Sequence, residues 1–397
     1  MNFLKREVYL RRHESIKAFL EKEGYEAYIV LTPDNFYYVT GFHLDVAPWE
    51  RPVAAVIPKN GKPFMVMNEL STNHVRLAKG RGTLAVDDVY FWQEHVSTVF
   101  RGYTKLQWTE LLAYQLKQRG IDRGTLAFDS GTASVKPLLN VLPKLNLVTE
   151  ANLMVEMRTV KCPEELEIYR VGAQLTDYAQ EVFRDLVKPG AYIAEIDREV
   201  AKQMVIKAAK LFPGDSFVPW CLSLSGPYSC SPHGTGGDID MTVEVGHVIV
   251  DMLCCSFCGY SIENERTWIV GEPTDIQARA FEAAEKACIA AAEKMVAGNP
   301  VWSIDAAAQA VIEEAGFGQY IRHRTGHGLG IAGHEFPEDV AFNNRPLIEG
   351  EVWSAEPGIY IFEVGGFRHD DTVIVGKTAP EIVTKWPKNL KDQTIKV

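Results

Sequence analysis

Five short segments in the second half of the chain set acids and histidines among glycines and apolar residues. Ser231-Pro232-His233-Gly234 places a histidine on a loop. Gly259-Tyr260-Ser261-Ile262-Glu263-Asn264-Glu265-Arg266-Thr267 opens a strand, and residues two apart on a strand share a face, so Glu263 and Glu265 are expected to point the same way. Arg324-Thr325-Gly326-His327-Gly328-Leu329-Gly330 brackets His327 with glycines, and Gly333-His334-Glu335 follows. Val352-Trp353-Ser354-Ala355-Glu356-Pro357-Gly358 ends a buried strand in a carboxylate, and Gly366-Phe367-Arg368-His369-Asp370-Asp371-Thr372 closes the set. The histidines are candidate general bases and the acids candidate holders of positive charge. Singly, each is a weak signal: a lone buried histidine is more often hydrogen-bonded in place, and a glutamate before Pro-Gly more often ends a strand.

The elements that must position these groups fall into two parts. Residues 1–155 read as an α/β domain. Tyr28-Ile29-Val30-Leu31, Ala54-Ala55-Val56-Ile57 and Phe64-Met65-Val66-Met67 are expected as buried strands, and Arg12 to Gly24 as a helix. Met157 to Glu165 looks like the boundary, where Pro163 and the acids after it start a long helix to about Lys188. Residues 156–397 form the second domain and contain an internal repeat. Gly190 followed by Ile196-Asp197 opens a helix through Ala208, and Gly298 followed by Ile304-Asp305 opens one through Ala315, at the same spacing and an offset of 108 residues. Two copies of a unit imply a pseudo-twofold domain with a site where its halves meet.

At 397 residues the chain exceeds one ordinary core, and 46% hydrophobic with 23% charged residues is a globular composition. A net charge of −11 disfavours nucleic acid and anionic membranes as partners. No apolar run is long enough to span a bilayer, and the start, MNFLKREVYLRRHES, reads as a charged helix rather than a signal peptide. Seven scattered cysteines fit reduced thiols in a cytoplasmic protein. Cys254, Cys255 and Cys258 lie in a strand-like stretch and are expected to pack in the interior.

The order GYSIENERT, GHGLG with GHE, AEPG and GFRHDDT resembles the pita-bread family of creatinase, aminopeptidase P and prolidase. The linker RTVKCPEELEIYR and the N-terminal YIVLTPDNFYYVTGF are similar to it too. The resemblance implies an α/β N-terminal domain, an α+β pita-bread C-terminal domain with pseudo-twofold symmetry, and a homodimer. The family's metallopeptidases hold two divalent ions with Asp, Asp, His, Glu and Glu. His327 and Glu356 match, Glu263 stands where the second Asp would be, and Asp370 where the last Glu would be. Each swap moves a carboxylate by about 1.5 Å. The first ligand position, six residues after Gly246 and seven before Gly259, is Met252. The neighbouring Asp251 is one step off, which turns it to the other face unless a bulge returns it; that face is expected to be an outer one.

The same family has a metal-free branch, creatinase and its relatives, in which a histidine shuttles protons and two glutamates grip a cationic group. Those roles map onto His233, Glu265 and Glu356, with Tyr260 as a further substrate contact. An N-terminal loop of the dimer partner caps the site in this family, so Trp49 and Arg51 are candidate substrate contacts, the arginine for a carboxylate. The reading is a hydrolase cleaving a C–N bond of a small cationic or amide-bearing molecule, with His233, or His327 and His334, as general base. No cofactor is expected, or at most one divalent ion of manganese, cobalt, zinc or iron on Glu263, His327, Glu356, Asp370 or Asp251. The alternatives are a metal-dependent Xaa-Pro aminopeptidase or dipeptidase, a lyase of the same fold acting on dimethylsulfoniopropionate, and an inactive binding member.

Overall fold

The structure is a computed structural model that describes residues 3–94, 108–234, 241–335 and 340–397. Its contacts divide it into two compact units, Leu4–Arg158 and Thr159–Val397. Met1 and Asn2, at the head of the charged N-terminal helix expected from the sequence, lie outside the described residues.

In the first unit, β1 (Ala27–Val30), β2 (Ala54–Pro58), β3 (Phe64–Asn68), β4 (Asp88–Trp92), β5 (Arg123–Phe128) and β6 (Lys144–Thr149) form one sheet in the order β4-β3-β2-β1-β5-β6. Around it lie α1 (Arg6–Glu23), α2 (Pro33–Thr40), α3 (Thr72–Arg81), α4 (Trp108–Gln118), α5 (Leu138–Val141) and α6 (Ala151–Thr159). The three strands expected from apolar runs are present, because β1, β2 and β3 are buried throughout. Helix α1 starts six residues before the expected Arg12. Val8, Arg12, Ile16 and Leu20 make one buried stripe at four-residue spacing. Arg12 belongs to it because its guanidinium stacks on Tyr38 and donates to the Tyr38 carbonyl at 2.7 Å.

The second unit opens with α7 (Pro163–Leu186) and α8 (Ile193–Leu211). Pro163 stands at the first helical turn and the Glu165 side chain accepts from the Cys162 N–H, which fixes where α7 begins. Strands β7 (Phe217–Ser225), β8 (Val248–Phe257), β9 (Tyr260–Ile262) and β10 (Asn264–Val270) follow, then α9 (Asp275–Glu293) and α10 (Trp302–Glu314). Strands β11 (Val352–Ala355), β12 (Gly358–Ile361), β13 (Gly365–Arg368), β14 (Asp370–Ile374), β15 (Glu381–Ile382) and β16 (Thr394–Ile395) complete it. The main sheet runs β11-β14-β10-β8-β7, and β12 pairs with β13 as a hairpin. Alanines of α9, including Ala280, Ala284, Ala287 and Ala291, pack this helix closely on Trp353, Phe367 and Val373 of the strands. The three clustered cysteines are buried, as their strand-like setting implies.

The repeat seen in the sequence has a structural meaning. Asp197 of α8 accepts from the N–H and hydroxyl of Ser223 on β7, at 2.9 and 2.6 Å. Asp305 of α10 accepts from the N–H and hydroxyl of Thr325, at 2.9 and 2.7 Å. Each half thus pins the backbone that follows its second helix with a buried aspartate. Among the described residues no helix is long and apolar enough to cross a membrane.

Replacing Asp305 by alanine leaves the Thr325 N–H and hydroxyl without their acceptor, so stability should fall by about 1–3 kcal/mol. Urea denaturation should show a lower midpoint at unchanged m-value; an unchanged midpoint would remove Asp305 from this role.

Candidate active site

Cross-strand register brings the acids together. Leu222 of β7, Met252 of β8, Glu265 of β10 and Asp370 of β14 are register partners in one row. Side chains of such a row share a face of the sheet. The neighbouring residues Asp251, Arg266 and Asp371 take the opposite face. There Arg266 pairs with Asp371 at 2.9 Å, and Asp371 also meets Lys388 at 2.7 Å. The step from 251 to 252 therefore decides which chemistry each strand residue joins.

Two further elements complete the cluster. The segment around His327 runs against β11: Ser354 N donates to the His327 carbonyl at 2.9 Å, and Glu356 N to the Thr325 carbonyl at 2.7 Å. A Cβ at Gly326 would land on the Ser354 carbonyl oxygen, and one at Gly330 on the Glu335 carboxylate. These glycines let the segment lie that close. The pairing sets His327 Nε2 3.3 Å from Glu356 and 3.5 Å from Glu263. The His327 Nδ1 atom lies 3.2 Å from the Gly328 carbonyl; donating there leaves Nε2 facing the acids.

Arg368, at the end of β13, is buried at the centre. Its Nε donates to Glu265 Oε2 and its Nη2 to Glu265 Oε1 at 3.1 Å, while Nη1 reaches the Pro232 carbonyl and the Tyr360 hydroxyl, both at 3.1 Å. Tyr360 in turn lies 2.7 Å from His323 Nε2. His323 Nδ1 sits 2.7 Å from the Arg324 carbonyl, which can only accept, so Nε2 accepts from the tyrosine. The ring of Tyr360 fits because a Cβ at Gly358 or Gly366 would meet it.

The cluster is rich in acid. The ligand oxygens of Glu265, Glu356 and Asp370 lie within 4.8 Å of one another. Burial pushes the Glu263 carboxyl up to about 8 against the pull of His327, and the Glu265 carboxyl up to about 7 against that of Arg368. Burial and the charges of Glu263, Glu265 and Glu356 raise Asp370 well above the usual range. One Asp370 oxygen accepts from Ala355 N at 3.1 Å, and the other is buried with no hydrogen-bond partner. Burial also opposes ionisation of Glu356, yet the hydrogen bond and charge of His327 outweigh it and hold that carboxyl down to about 2. The same pair lifts His327 to about 9 despite its burial. Glu356 and Asp370 are thus the natural centre of a cation site, with Glu263 and His327 on one side and Glu265 on the other.

Several expected residues lie elsewhere. Asp251 is fully buried, and its carboxylate accepts from Gln180, the Arg266 N–H and the Trp268 indole at 2.8, 2.8 and 2.6 Å. Its face is not an outer one: α7 covers it and supplies Gln180. Tyr260 is buried and donates to Glu165 of α7 at 2.6 Å, so it belongs to the interior packing and not to a substrate pocket. Glu265 binds a cation, but that cation is Arg368 of the chain itself. His233 is exposed on the turn whose Pro232 carbonyl is held by Arg368. His334 is exposed and stacks on His327 with ring centroids 3.6 Å apart. Burial and the charge of His327 lower its pKa, and Arg324 lies 3.4 Å from its Nδ1. In the first unit Trp49 is 87% exposed, and Arg51 pairs with Glu50 and Glu94 at 2.8 and 2.9 Å.

Arg368, Tyr360 and His323 were not singled out in the sequence. Arg368 stood inside a quoted segment, but its role depends on the hairpin that pairs it with Gly358. Nothing local marks Tyr360 or His323.

Asp251→Asn should lower stability by about 1–3 kcal/mol, since an amide cannot accept at both oxygens, while divalent metal bound per chain stays unchanged. Loss of metal on that change would return Asp251 to the site. Tyr360→Phe removes the hydroxyl between Arg368 and His323 and should cost roughly 10–100-fold in kcat/KM with the fold retained by circular dichroism.

Residues 167–377 match metallopeptidase family M24, and residues 12–160 match the creatinase/prolidase N-terminal domain. The chain is 27% identical over 384 residues to an Xaa-Pro dipeptidase of Lactobacillus helveticus, covering 95% of this chain and 98% of that one. It is similar in structure to dipeptidase PepE from Mycobacterium ulcerans, with a TM-score of 0.80, 26% identity, and coverage of 99% and 100% of the two chains. The fold of an Xaa-Pro dipeptidase from Bacillus anthracis superposes with a TM-score of 0.79 at 24% identity, over 96% of this chain and 99% of that one.

Proposed function

The chain belongs to metallopeptidase family M24, and from that premise we propose that it is a metal-dependent dipeptidase acting on small peptides of the Xaa-Pro type. The observation that carries this reading is the excess of buried acid. Glu263, Glu265, Glu356 and Asp370 converge, and the chain opposes them with Arg368 and His327 alone among the described groups of the site. A buried carboxylate cluster without compensating charge is costly, and an oxygen-rich set with one imidazole suits manganese, cobalt, zinc or iron. The unpartnered Asp370 oxygen fits the same group.

Glu263, His327, Glu356 and Asp370 would hold the ion, and a divalent cation there supplies Lewis-acid polarisation of the scissile carbonyl. The chain's own groups do the rest. Glu356, 3.3 Å from His327, would be the carboxylate that takes a proton from water. Arg324 can only donate to Nδ1 of His334, so the proton of that imidazole sits on Nε2, which would donate to the substrate carbonyl oxygen. His233, on the exposed turn tied to Arg368, would carry a proton to the leaving amine. The negative balance of the pocket favours a substrate with a free ammonium group.

The creatinase-like, metal-free reading loses its main support because Glu265 already binds Arg368 through both oxygens and is not available to grip a cationic substrate. A cytoplasmic homodimer in which Trp49 and Arg51 meet the substrate carboxylate goes with the peptidase reading.

Purified protein loaded with manganese should hydrolyse Xaa-Pro dipeptides, and chelation with EDTA should abolish the activity until metal is returned. His334→Ala should lower kcat by about 10²–10³. Full activity on a small C–N substrate after exhaustive chelation would overturn the reading and restore the creatinase-like one.

A further inference from the structure

We infer that the Glu265–Arg368 pair takes the place of a second cation, so that the site accepts one divalent ion and not two. The inference rests on the metal-dependent reading above and concerns how many ions that site holds. It starts from the row across the sheet. Met252 and Glu265 face each other in register, and Asp370 is the next partner along. At the Asp370 end of the site lie His327, Glu356 and Glu263, an imidazole and three carboxylates. At the Met252 end the donors are different in kind. Met252 packs with Leu222, Leu224, Val250 and Cys254, and its thioether carries no charge and prefers soft metals. Asp251, the one carboxylate next to it in sequence, is turned to the other face and engaged by Gln180, Arg266 and Trp268.

What fills this end is the guanidinium. Arg368 binds Glu265 in a bidentate pair, and its remaining donor is fixed by Tyr360 and the Pro232 carbonyl. The guanidinium cannot be deprotonated at any working pH, so it is a permanent positive charge at the place where a further ion would need Glu265. A second dication would have to displace it from its carboxylate and then sit beside it, like charge against like in a buried pocket. With His327 neutral as a ligand, one divalent ion plus one guanidinium against four carboxylates leaves a single negative charge, which a substrate ammonium can balance. Tyr360 and His323 are positioning residues in this scheme: they orient Arg368 without touching the ion.

The test is the number of ions. Protein loaded with excess manganese and desalted should hold one manganese per chain by mass spectrometry, with the electron paramagnetic resonance signal of an isolated ion. Arg368→Met, which removes the internal charge and frees Glu265, should move the ratio toward two and give the signal of an exchange-coupled pair. Two ions on the wild-type chain overturn the inference, and so does a folded Arg368→Met variant that stays at one. If that variant does not fold, the wild-type ratio and signal decide alone. Dipeptide hydrolysis measured on the same loaded sample separates the two readings. One ion without hydrolysis overturns the peptidase reading and leaves this inference standing, whereas two ions with hydrolysis does the reverse.

Discussion

The buried pair between Arg368 and Glu265 is the interaction on which the site is built, because four carboxylates cannot share one corner of a protein without compensating charge. Arg368 is buried, and its four polar contacts serve three requirements. Two neutralise Glu265. One ties down the turn that carries His233. One meets the tyrosine that leads to His323. A guanidinium suits this position better than an ammonium would, since its planar fork satisfies two carboxylate oxygens and still reaches two further acceptors. His327 plays the matching part for Glu356 and Glu263, and the opposite displacements of Glu356 and His327 are two sides of one ion pair.

The fold's task is to bring these groups into register, and it does so through repetition. Asp197 and Asp305 stand at equivalent places in the two halves and pin Ser223 and Thr325 by the same pair of bonds. The first pin ties α8 to β7, on which Ser223 is the register partner of Asp251 and Leu222 that of Met252. The second ties α10 to the segment that holds His327, whose carbonyls accept from Ser354 N and Glu356 N. The site therefore lies within the second unit, where its two similar halves meet, with acids from the sheet on one side and the imidazole from the glycine-rich segment on the other. The opposite face of the same strands holds a second polar network in which Asp251 accepts from the Arg266 N–H and Asp371 pairs with Arg266 and Lys388. Alternation along the strand keeps the two networks apart at the cost of a single residue of register.

By itself the sequence determined much of the architecture: three of the six strands of the first unit, the long helix after Pro163, the repeat marked by Asp197 and Asp305, and the ordered motifs whose likeness to a family the comparisons bear out at the level of M24. These are local or periodic properties, carried by residues close together in the chain. Sequence also presented Glu263, His327, Glu356 and Asp370 as one group, since each sits in a motif of its own. Tertiary structure alone decided their partners. That Glu265 holds Arg368 rather than a ligand follows from contact between residues 103 positions apart. That Tyr260 turns into the interior depends on Glu165, 95 positions away. The importance of Tyr360 and His323 arises from a hairpin and a turn that meet only in the folded chain. A side chain's type is written at its own position, but the charge it feels, the bonds it makes and the proton it keeps are set by neighbours that the fold brings from elsewhere.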